Sequence, residues 1–323
     1  MASDTTWFRD AGWGVFAHWL GQQGETAAAW QARVDGFDAG ALADQVASTG
    51  ARYLFLTVGQ NSGHWCAPNA TYDGLVGIEP SKCSRRDLVA DVADALAAHG
   101  IRLLAYAPSG APAADKVACE RLEWRWGYAG DGWPHAQRVD GVPVRTGERL
   151  AAFQRRWQAV VREWGERWGR RVHGWWVDGC YFADEMYRHA EEPNFASFAA
   201  ALRAGNPDRI VAFNPGVKVP VICHTEHEDY TAGEIAGALP AHRAGEPPDG
   251  AVGGAQYHIL SYLGQTWCQG PPRFPDELVV GYTKHVVGRG GVVTWDVPID
   301  REGALEAPFV EQLRRLGRAM GNV

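Results

Sequence analysis

The stretch Val172-His173-Gly174-Trp175-Trp176-Val177-Asp178-Gly179 decides how the rest of the chain is interpreted. A short apolar run of bulky and β-branched residues predicts a buried strand. In a parallel α/β barrel, the C-terminal ends of the strands carry the side chains that meet a ligand. Asp178, at the end of this strand, is therefore a candidate for chemistry. The alternative is that Asp178 caps the helix predicted over 182–189 or turns the chain.

Strands and helices alternate on both sides of this stretch. The predicted strands are 14–17, 52–58, 101–107, 172–178, 209–213, 219–223, 256–262 and 291–297, and the predicted helices include 37–48, 86–99, 149–168, 195–203, 276–288 and 306–320. About eight such units favour a single domain over 1–323, an α/β fold of the (β/α)8 TIM-like barrel type. The stretch 108–147 is longer than a barrel connection needs, which indicates a lid or a small excursion.

Composition excludes several classes of protein. The net charge is −7 with acids and bases interspersed, which argues against a nucleic-acid partner. No run of about 20 apolar residues predicts a membrane span. A doubly wound nucleotide-binding sheet is disfavoured because neither Gly-x-Gly-x-x-Gly nor a P-loop occurs. The six cysteines form no Cys-x-x-Cys pair. The first residues carry no signal-peptide pattern, so we expect a cytoplasmic protein, or an exported one whose signal has been removed.

The most unusual feature of the composition is the presence of 15 tryptophans. Many would pack in the core, but an indole ring also offers a flat face to a sugar ring. Polar and aromatic side chains stand at or near the predicted strand ends, as expected of a carbohydrate pocket. The candidate substrate contacts are His18, Trp19, Gln60, Asn61, His64, Trp65, Tyr106, Trp176, Asn214, Glu228 and Trp267.

Glycoside hydrolysis needs two carboxyl groups that flank the bond to be cleaved. Asp178 is the better candidate for the nucleophile, and the acidic loop after Cys223 is the better source of the acid. Within that loop we place Glu234 ahead of Glu228 and Glu226. The alternative is that all three are solvated loop charges.

The same loop contains a dense group of potential metal ligands, His224, Glu226, His227 and Glu228. Its spacing does not match His-Glu-x-x-His, and we interpret it as a hydrogen-bond network. The sequence predicts neither a metal nor a cofactor. A Ser–His–Asp hydrolase is also disfavoured, because no Gly-x-Ser-x-Gly elbow occurs.

Several segments resemble α-L-fucosidases of glycoside hydrolase family 29. They are residues 7–19, which open the chain, residues 50–57, the strand end Gly174-Trp175-Trp176-Val177-Asp178-Gly179, and residues 285–298. The resemblance implies a retaining mechanism with Asp178 as the nucleophile. It points to Glu234 as the acid/base, with Glu228 as the alternative. It also implies that His18 holds a sugar hydroxyl and that Tyr106 and Trp267 lie beside the sugar.

The chain departs from the family's pattern in three places. Gln60-Asn61 stands where the family usually has His-His, and Asn214-Pro215-Gly216 lacks the arginine that usually follows that asparagine. Both changes fall on groups that read sugar hydroxyls, so the preferred sugar is left open between fucose and another sugar. No counterpart of the family's C-terminal β-sandwich follows the last helix. We therefore expect barrel loops, including 108–147, or a neighbouring subunit to complete the site.

These patterns predict an exo-acting, retaining, α-L-fucosidase-like glycosidase. Its partner would be a carbohydrate, in an oligosaccharide or glycoconjugate, with no nucleic acid and no membrane. The sequence is compatible with an oligomer. Two other functions remain open: a catalytically silent sugar-binding barrel, and another carbohydrate-active enzyme such as a lyase or a metal-assisted hydrolase using His224 and His227.

Overall fold

Seven parallel strands form one curled sheet with helices around it. The computed structural model describes residues 3–130, 135–237, 239–240 and 250–322. The sheet strands are β1 (Trp13–Ala17), β2 (Tyr53–Thr57), β3 (Arg102–Pro108), β6 (Val172–Asp178), β7 (Ile210–Phe213), β10 (His258–Tyr262) and β11 (Val292–Val297). Their order in the sheet is β10-β11-β1-β2-β3-β6-β7, so the C-terminal ends of all seven lie along one edge.

Helices connect most of these strands, and most of them pack on the outside of the sheet, while the first helix places Phe8 in the aromatic cluster inside it. They are α1 (Thr6–Ala11), α2 (Ala27–Asp35), α3 (Ala39–Thr49), α4 (Ala70–Val76), α5 (Leu88–Ala97), α6 (Lys116–Leu122), α7 (Ala151–Trp168), α8 (Ala183–Met186), α9 (Phe195–Leu202), α10 (Asp276–Val287) and α11 (Ala307–Met320). Neighbours such as α3 and α5, or α7 and α9, pack against each other. Asp38 caps α3, accepting the Ala41 N–H at 2.9 Å.

The strand that ends in Asp178 is confirmed, and its two tryptophans point to opposite sides, as successive residues of a strand do. Trp175 belongs to the outer core and donates to the Leu202 carbonyl at 2.9 Å. Trp176 belongs to the aromatic cluster inside the sheet and donates to the Ala232 carbonyl at 2.9 Å. Asp178, two residues further, follows Trp176 on the inner side. Gly174 lets this strand approach its neighbours, because a Cβ there would lie 2.6 Å from Leu104.

Between β7 and β10 lies an irregular segment, residues 229–235, that forms backbone hydrogen bonds with both strands. Its Asp229 N–H donates to Val211 O at 2.8 Å, and its Ile235 N–H donates to Leu260 O at 3.0 Å. Tyr230 and Ala232 point into the inner cluster. The strand predicted over 219–223 is wrong, since that stretch has no strand. Seven strands and this irregular segment stand where eight regular strands were predicted.

The stretch 108–147 contains α6 and a short hairpin of β4 (Arg138–Val139) and β5 (Val142–Pro143), and a second hairpin, β8 (Ala251–Val252) and β9 (Ala255–Gln256), precedes β10. Residues 131–134 of the predicted excursion lie outside the described residues. Among the described residues, nine tryptophans have fully buried side chains, so most of the tryptophan content serves the core. All six cysteines are unpaired.

No helix in the described part of the chain is both long and apolar enough to cross a membrane.

Candidate active site

Asp178 is held at the C-terminal edge of the sheet by three side chains. Its Oδ2 accepts a hydrogen bond from the Tyr106 hydroxyl at 2.7 Å, and its Oδ1 accepts one from Asn214 Nδ2 at 2.9 Å. The Tyr181 hydroxyl also lies 3.3 Å from Oδ1. The helix that follows, α8, has Phe182 at its N-cap and no side-chain cap. Asp178 therefore does not cap a helix, and its carboxylate is oriented by groups of the site.

Glu234 lies beside Asp178, because Asn214 contacts both. The same Asn214 Nδ2 that donates to Asp178 also donates to Glu234 Oε2 at 2.6 Å. An amide nitrogen carries two hydrogens, enough for both bonds. The Asn214 Oδ1 accepts the Gly216 N–H at 3.0 Å, which fixes the orientation of the amide. With 2.9 Å to one carboxylate and 2.6 Å to the other, the two acceptor oxygens are separated by at most about 5.5 Å.

Burial raises the pKa of Glu234 to about 7, and the negative charge of Asp178 contributes in the same direction. The hydrogen bond from Asn214 opposes these effects. A carboxyl group with this pKa is partly protonated at neutral pH, so Glu234 can donate a proton where an ordinary glutamate cannot.

Tyr106 links Asp178 to Gln60. Gln60 Nε2 donates to the Tyr106 hydroxyl, and that hydroxyl in turn donates to Asp178. Burial, with the Asp178 charge, holds the pKa of Tyr106 well above its usual value, so Tyr106 keeps its proton and remains a donor. The amide of Gln60 thus orients the tyrosine that orients Asp178.

His18 lies beside the Tyr106 ring, and Trp267 lies beside His18. The His18 ring centroid is 5.7 Å from that of Tyr106 and 6.1 Å from that of Trp267. His18 Nδ1 lies 2.6 Å from an oxygen of the buried Asp296, whose other oxygen accepts the Cys268 N–H at 2.7 Å. Asp296 therefore fixes the orientation of the His18 ring. Trp176 stacks on Tyr106 at a centroid distance of 5.5 Å and, at 3% exposed, belongs to the buried aromatic cluster inside the sheet.

A pocket of about 440 Å³ opens over the two carboxyl groups. This is within the size range of small-molecule sites. Predicted residues that line it are Gln60, Asn61, Asp178 and Glu234. The structure adds an aromatic wall that the sequence did not single out residue by residue, Trp124, Trp126 and Tyr128, together with Tyr181. The sequence feature that could have indicated this wall is the high tryptophan content of residues 108–147. Among the described lining residues there are two acids and no lysine or arginine.

Several predicted contacts lie in the core and away from this pocket. Trp19 is packed against Trp30 and Phe37 and donates to the Arg301 carbonyl at 3.1 Å. Trp65 is fully buried against Trp157 and Trp164. These indoles lie on the outer side of the sheet, where they fill the space under the helices.

His64 and Glu228 are also buried away from the pocket. His64 is 1% exposed and packs against the Trp30 ring at 5.7 Å. The carboxylate of Glu228, which is 4% exposed, accepts the backbone N–H groups of His224 at 2.5 Å and Phe213 at 3.3 Å. Glu228 thus joins its own loop to β7, whereas Glu234 faces Asp178.

The histidines considered as metal ligands have other contacts. His224 Nε2 lies 3.0 Å from the Cys180 carbonyl, and Arg188 contacts both the ring and the carbonyl group of His224. Glu226 is largely exposed beside His227. Within the described ranges, no group of three or more histidine, cysteine, aspartate or glutamate side chains is arranged to hold a metal ion.

No known family model matches the chain, and no curated protein matches it. Solved structures of similar fold do match. The endo-fucoidan hydrolase MfFcnA4 of glycoside hydrolase family 107 is 18% identical, with a TM-score of 0.72 over 97% of this chain and 53% of its own, so this chain spans about half the length of that relative.

Two α-L-fucosidases are similar over more of their length. AlfC from Lactobacillus casei is 16% identical, with a TM-score of 0.63 over 97% of both chains. A family 29 enzyme from Bacteroides thetaiotaomicron is 16% identical, with a TM-score of 0.62 over 99% of this chain and 75% of its own. At these identities the likeness is one of fold. The chain has a fucosidase-like α/β fold, and its two carboxyl groups lie at the edge of the sheet where barrel enzymes carry their sites.

Proposed function

We propose that this protein is an exo-acting, retaining glycosidase, similar to α-L-fucosidases, with Asp178 as nucleophile and Glu234 as acid/base. The observation that carries the proposal is the single Asn214 amide that donates to both carboxyl groups. Retaining glycosidases hold their two carboxyl groups about 5–5.5 Å apart, whereas inverting enzymes leave about 6.5–9.5 Å for a water molecule. The limit of about 5.5 Å between the acceptor oxygens supports the retaining arrangement.

In the first step, a carboxylate oxygen of Asp178 attacks the anomeric carbon while protonated Glu234 gives its proton to the leaving oxygen. The Glu234 Oε2 atom accepts from Asn214, which leaves Oε1 to carry that proton. Tyr106 and Asn214 hold Asp178 in place for attack. The product of this step is a glycosyl ester of Asp178 and a free alcohol.

In the second step, Glu234 is a carboxylate and removes a proton from water. The water oxygen attacks the anomeric carbon, the ester bond to Asp178 breaks, and Glu234 is protonated again. Loss of the Asp178 charge in the ester lowers the repulsion that helps keep Glu234 protonated, so one residue can serve as acid and then as base.

The lining of the pocket supports an uncharged sugar as the substrate. Two acids and no base among the described lining residues disfavour an anionic ligand. The folds of the similar structures, whose names describe action on fucoidan and α-L-fucose, favour fucose or a stereochemical neighbour. Gln60 and Asn61, which stand where α-L-fucosidases of family 29 usually have His-His, are the reason to test more than one sugar.

The decisive experiment is a panel of nitrophenyl glycosides that covers α-L-fucose and its stereochemical neighbours. We expect turnover of at least one, and a first-formed product with the anomeric configuration of the substrate, observed by proton NMR. An inverted first product would contradict the retaining mechanism. Binding of a sugar by calorimetry without turnover of any glycoside would instead favour a silent binding module.

Asp178→Ala is the matched variant for this panel. Removing the nucleophile is expected to lower kcat by roughly 10⁴-fold or more, as loss of a covalent catalyst does. Circular dichroism and thermal unfolding serve as controls for the fold. Activity within tenfold of the parent protein, in a folded variant, would contradict the role of Asp178.

A further inference from the structure

Two further hollows adjoin the pocket that contains the carboxyl groups. One, of about 360 Å³, shares Trp124, Trp126 and Tyr128 with the pocket, and another, of about 640 Å³, shares Trp124 with both. We propose that these adjoining hollows bind the leaving-group portion of an oligosaccharide of uncharged sugars. The inference rests on the proposed glycosidase function, since it assigns a place to the part of the substrate beyond the cleaved bond.

The shared aromatic wall is rigidly placed. Trp124 is 7% exposed, and its ring packs on Phe153 of α7 at a centroid distance of 4.6 Å. A Cβ at Gly110 would lie 2.6 Å from that indole, so the backbone of the pocket closes directly on the ring. Trp126 meets Trp124 edge-on at 5.8 Å and is only partly buried. Trp124 thus supports the wall from behind, and the partly buried ring of Trp126 is the one that can offer a flat apolar face to the C–H face of a sugar ring.

The backbone on each side of the wall is paired before any ligand arrives. The Thr146 N–H donates to Gly127 O at 2.9 Å, and the Ala129 N–H donates to Val144 O at 2.8 Å. The Tyr128 ring rests on Phe182 at 4.8 Å. A surface ordered in advance loses little conformational entropy on binding, which favours a binding site over a mobile lid.

The outer hollows carry charged groups of both signs. Arg125 and Glu148 line both outer hollows and form an ion pair at 3.0 Å, and neither lines the pocket over the carboxyl groups. Glu120, Glu123 and Arg149 also line the larger hollow. Such a mixture can donate to and accept from sugar hydroxyls. Acids outnumber bases among these described residues, so the surface does not suit an anionic glycan.

The test compares two substrates that carry the same terminal sugar. One is 4-nitrophenyl α-L-fucoside, and the other is a trisaccharide in which α-L-fucose is joined to lactose. If the panel identifies another sugar, that sugar replaces fucose in both. We expect Arg125→Ala to lower kcat/KM roughly tenfold on the trisaccharide, which corresponds to the loss of one or two hydrogen bonds, and to leave the aryl glycoside within twofold.

Arg170→Ala is the matched control. Arg170 forms an exposed ion pair with Asp208 at 2.9 Å, immediately before the Asp178 strand, and lines none of the three hollows. Arg170→Ala should leave kcat/KM unchanged on both substrates. Equal losses on both substrates in Arg125→Ala, which does not line the pocket over the carboxyl groups, would overturn the proposal. So would an unchanged kcat/KM on the trisaccharide in both Arg125→Ala and Trp126→Ala.

A binding measurement separates this proposal from the proposed function. Quenching of tryptophan fluorescence is titrated with uncharged oligosaccharides of two to four sugars, lactose among them. If no glycoside is turned over, the proposed function fails. Quenching in the parent protein that is lost in Arg125→Ala and Trp126→Ala still supports the binding surface. Absence of quenching at millimolar concentrations of every oligosaccharide would overturn it.

Discussion

At the scale of single residues, Asn214 determines how the two carboxyl groups are arranged. Asp178 and Asn214 were both predicted as site residues, because both follow strands and parallel strands end at one edge. The contact between Asn214 and Glu234 could not be predicted. It depends on where residues 229–235 lie, and an acidic loop with no strand periodicity gives no register.

Gln60 is a second residue whose place in the site was predicted from the sequence but whose contacts were not all predicted. Position 60 was predicted to read a sugar hydroxyl, and the structure places Gln60 on the pocket wall, where it also donates to Tyr106. That second contact is a relation between two strands, β2 and β3, and no local pattern encodes it. The orientation of Asp178 thus depends on a residue where this chain departs from the family it resembles.

The raised pKa of Glu234 predicts the pH dependence of the reaction. Glu234 must be protonated to act as the acid, and its pKa is about 7, so kcat/KM should fall as pH rises through about 7. We expect Glu234→Gln to remove this alkaline limb and to lower kcat/KM by roughly 10²–10⁴-fold on substrates with a poor leaving group. A dinitrophenyl glycoside, whose leaving group needs no proton, should lose less in its first step.

Glu228→Gln is the control for that experiment. Its carboxyl group also has a raised pKa, yet it contacts backbone N–H groups away from the pocket. The alkaline limb should remain in this variant. If the limb followed Glu228 and not Glu234, the assignment of the acid would be contradicted.

At the scale of elements, strands with a clear apolar run were predictable and the irregular one was not. The apolar runs that end at Asp178, Phe213 and Val297 all form sheet strands. Residues 229–235 contain Asp229, Gly233 and Glu234, which lower strand propensity. They pair with both neighbouring edges because tertiary hydrogen bonds, including those of Asp229 to Val211, override that propensity. The segment that carries the candidate acid was therefore the one that the sequence misplaced.

Arg209 shows how the helices are joined to the sheet, and it gives a prediction about stability. It is fully buried before β7, and its guanidinium donates to backbone carbonyls at the ends of α7, α9 and the Asp178 strand. The acceptors are Gly165, Gly169, Val172, Leu202 and Ala204, at 2.6–3.1 Å. Arg209→Met would leave these carbonyls without a donor. We expect it to lower the free energy of unfolding in urea by at least about 3 kcal/mol.

Arg170→Ala serves again as the control for Arg209→Met. Arg170 makes an exposed ion pair with Asp208, and such pairs contribute about 0–1 kcal/mol. If the two variants unfolded at the same urea concentration, the carbonyl cluster around Arg209 would not be the link between helices and sheet that its hydrogen bonds indicate.

At the scale of the whole molecule, the tryptophan content serves two purposes that composition alone could not separate. Trp19 and Trp65 were predicted as sugar contacts because they follow strands, and they lie under the outer helices. Trp124 and Trp126 come from a stretch with no regular pattern, and they line the pocket. Whether an indole faces the core or a pocket depends on how distant segments pack, so the aromatic wall could not be predicted from the sequence. The general class of site could be, because it follows from the strand ends and their carboxyl groups.

The pH dependence of the free energy of unfolding tests whether the folded molecule buries the carboxyl group of Glu228. Burial raises the pKa of this carboxyl group from 4.5 to about 8, so between these values the folded protein binds the proton more tightly than the unfolded chain. The free energy of unfolding therefore falls as pH rises from about 4.5 to 8, by up to about 1.4 kcal/mol per pH unit from this group.

Buried histidines act in the opposite direction below their usual pKa. Burial lowers the pKa of His173 and His258 from 6.5 to about 4, so their contribution to stability increases with pH up to about 6.5 and is constant above it. Glu234, with its pKa of about 7, contributes mainly below pH 7, so the clearest window for Glu228 is pH 7–8. Urea unfolding across that window should show a falling stability in the parent protein and a flatter curve in Glu228→Gln. Parallel curves for the two proteins would mean that Glu228 titrates alike in the folded and unfolded chains, and that the loop bearing Glu234 is not packed against β7 as the two backbone hydrogen bonds of Glu228 require.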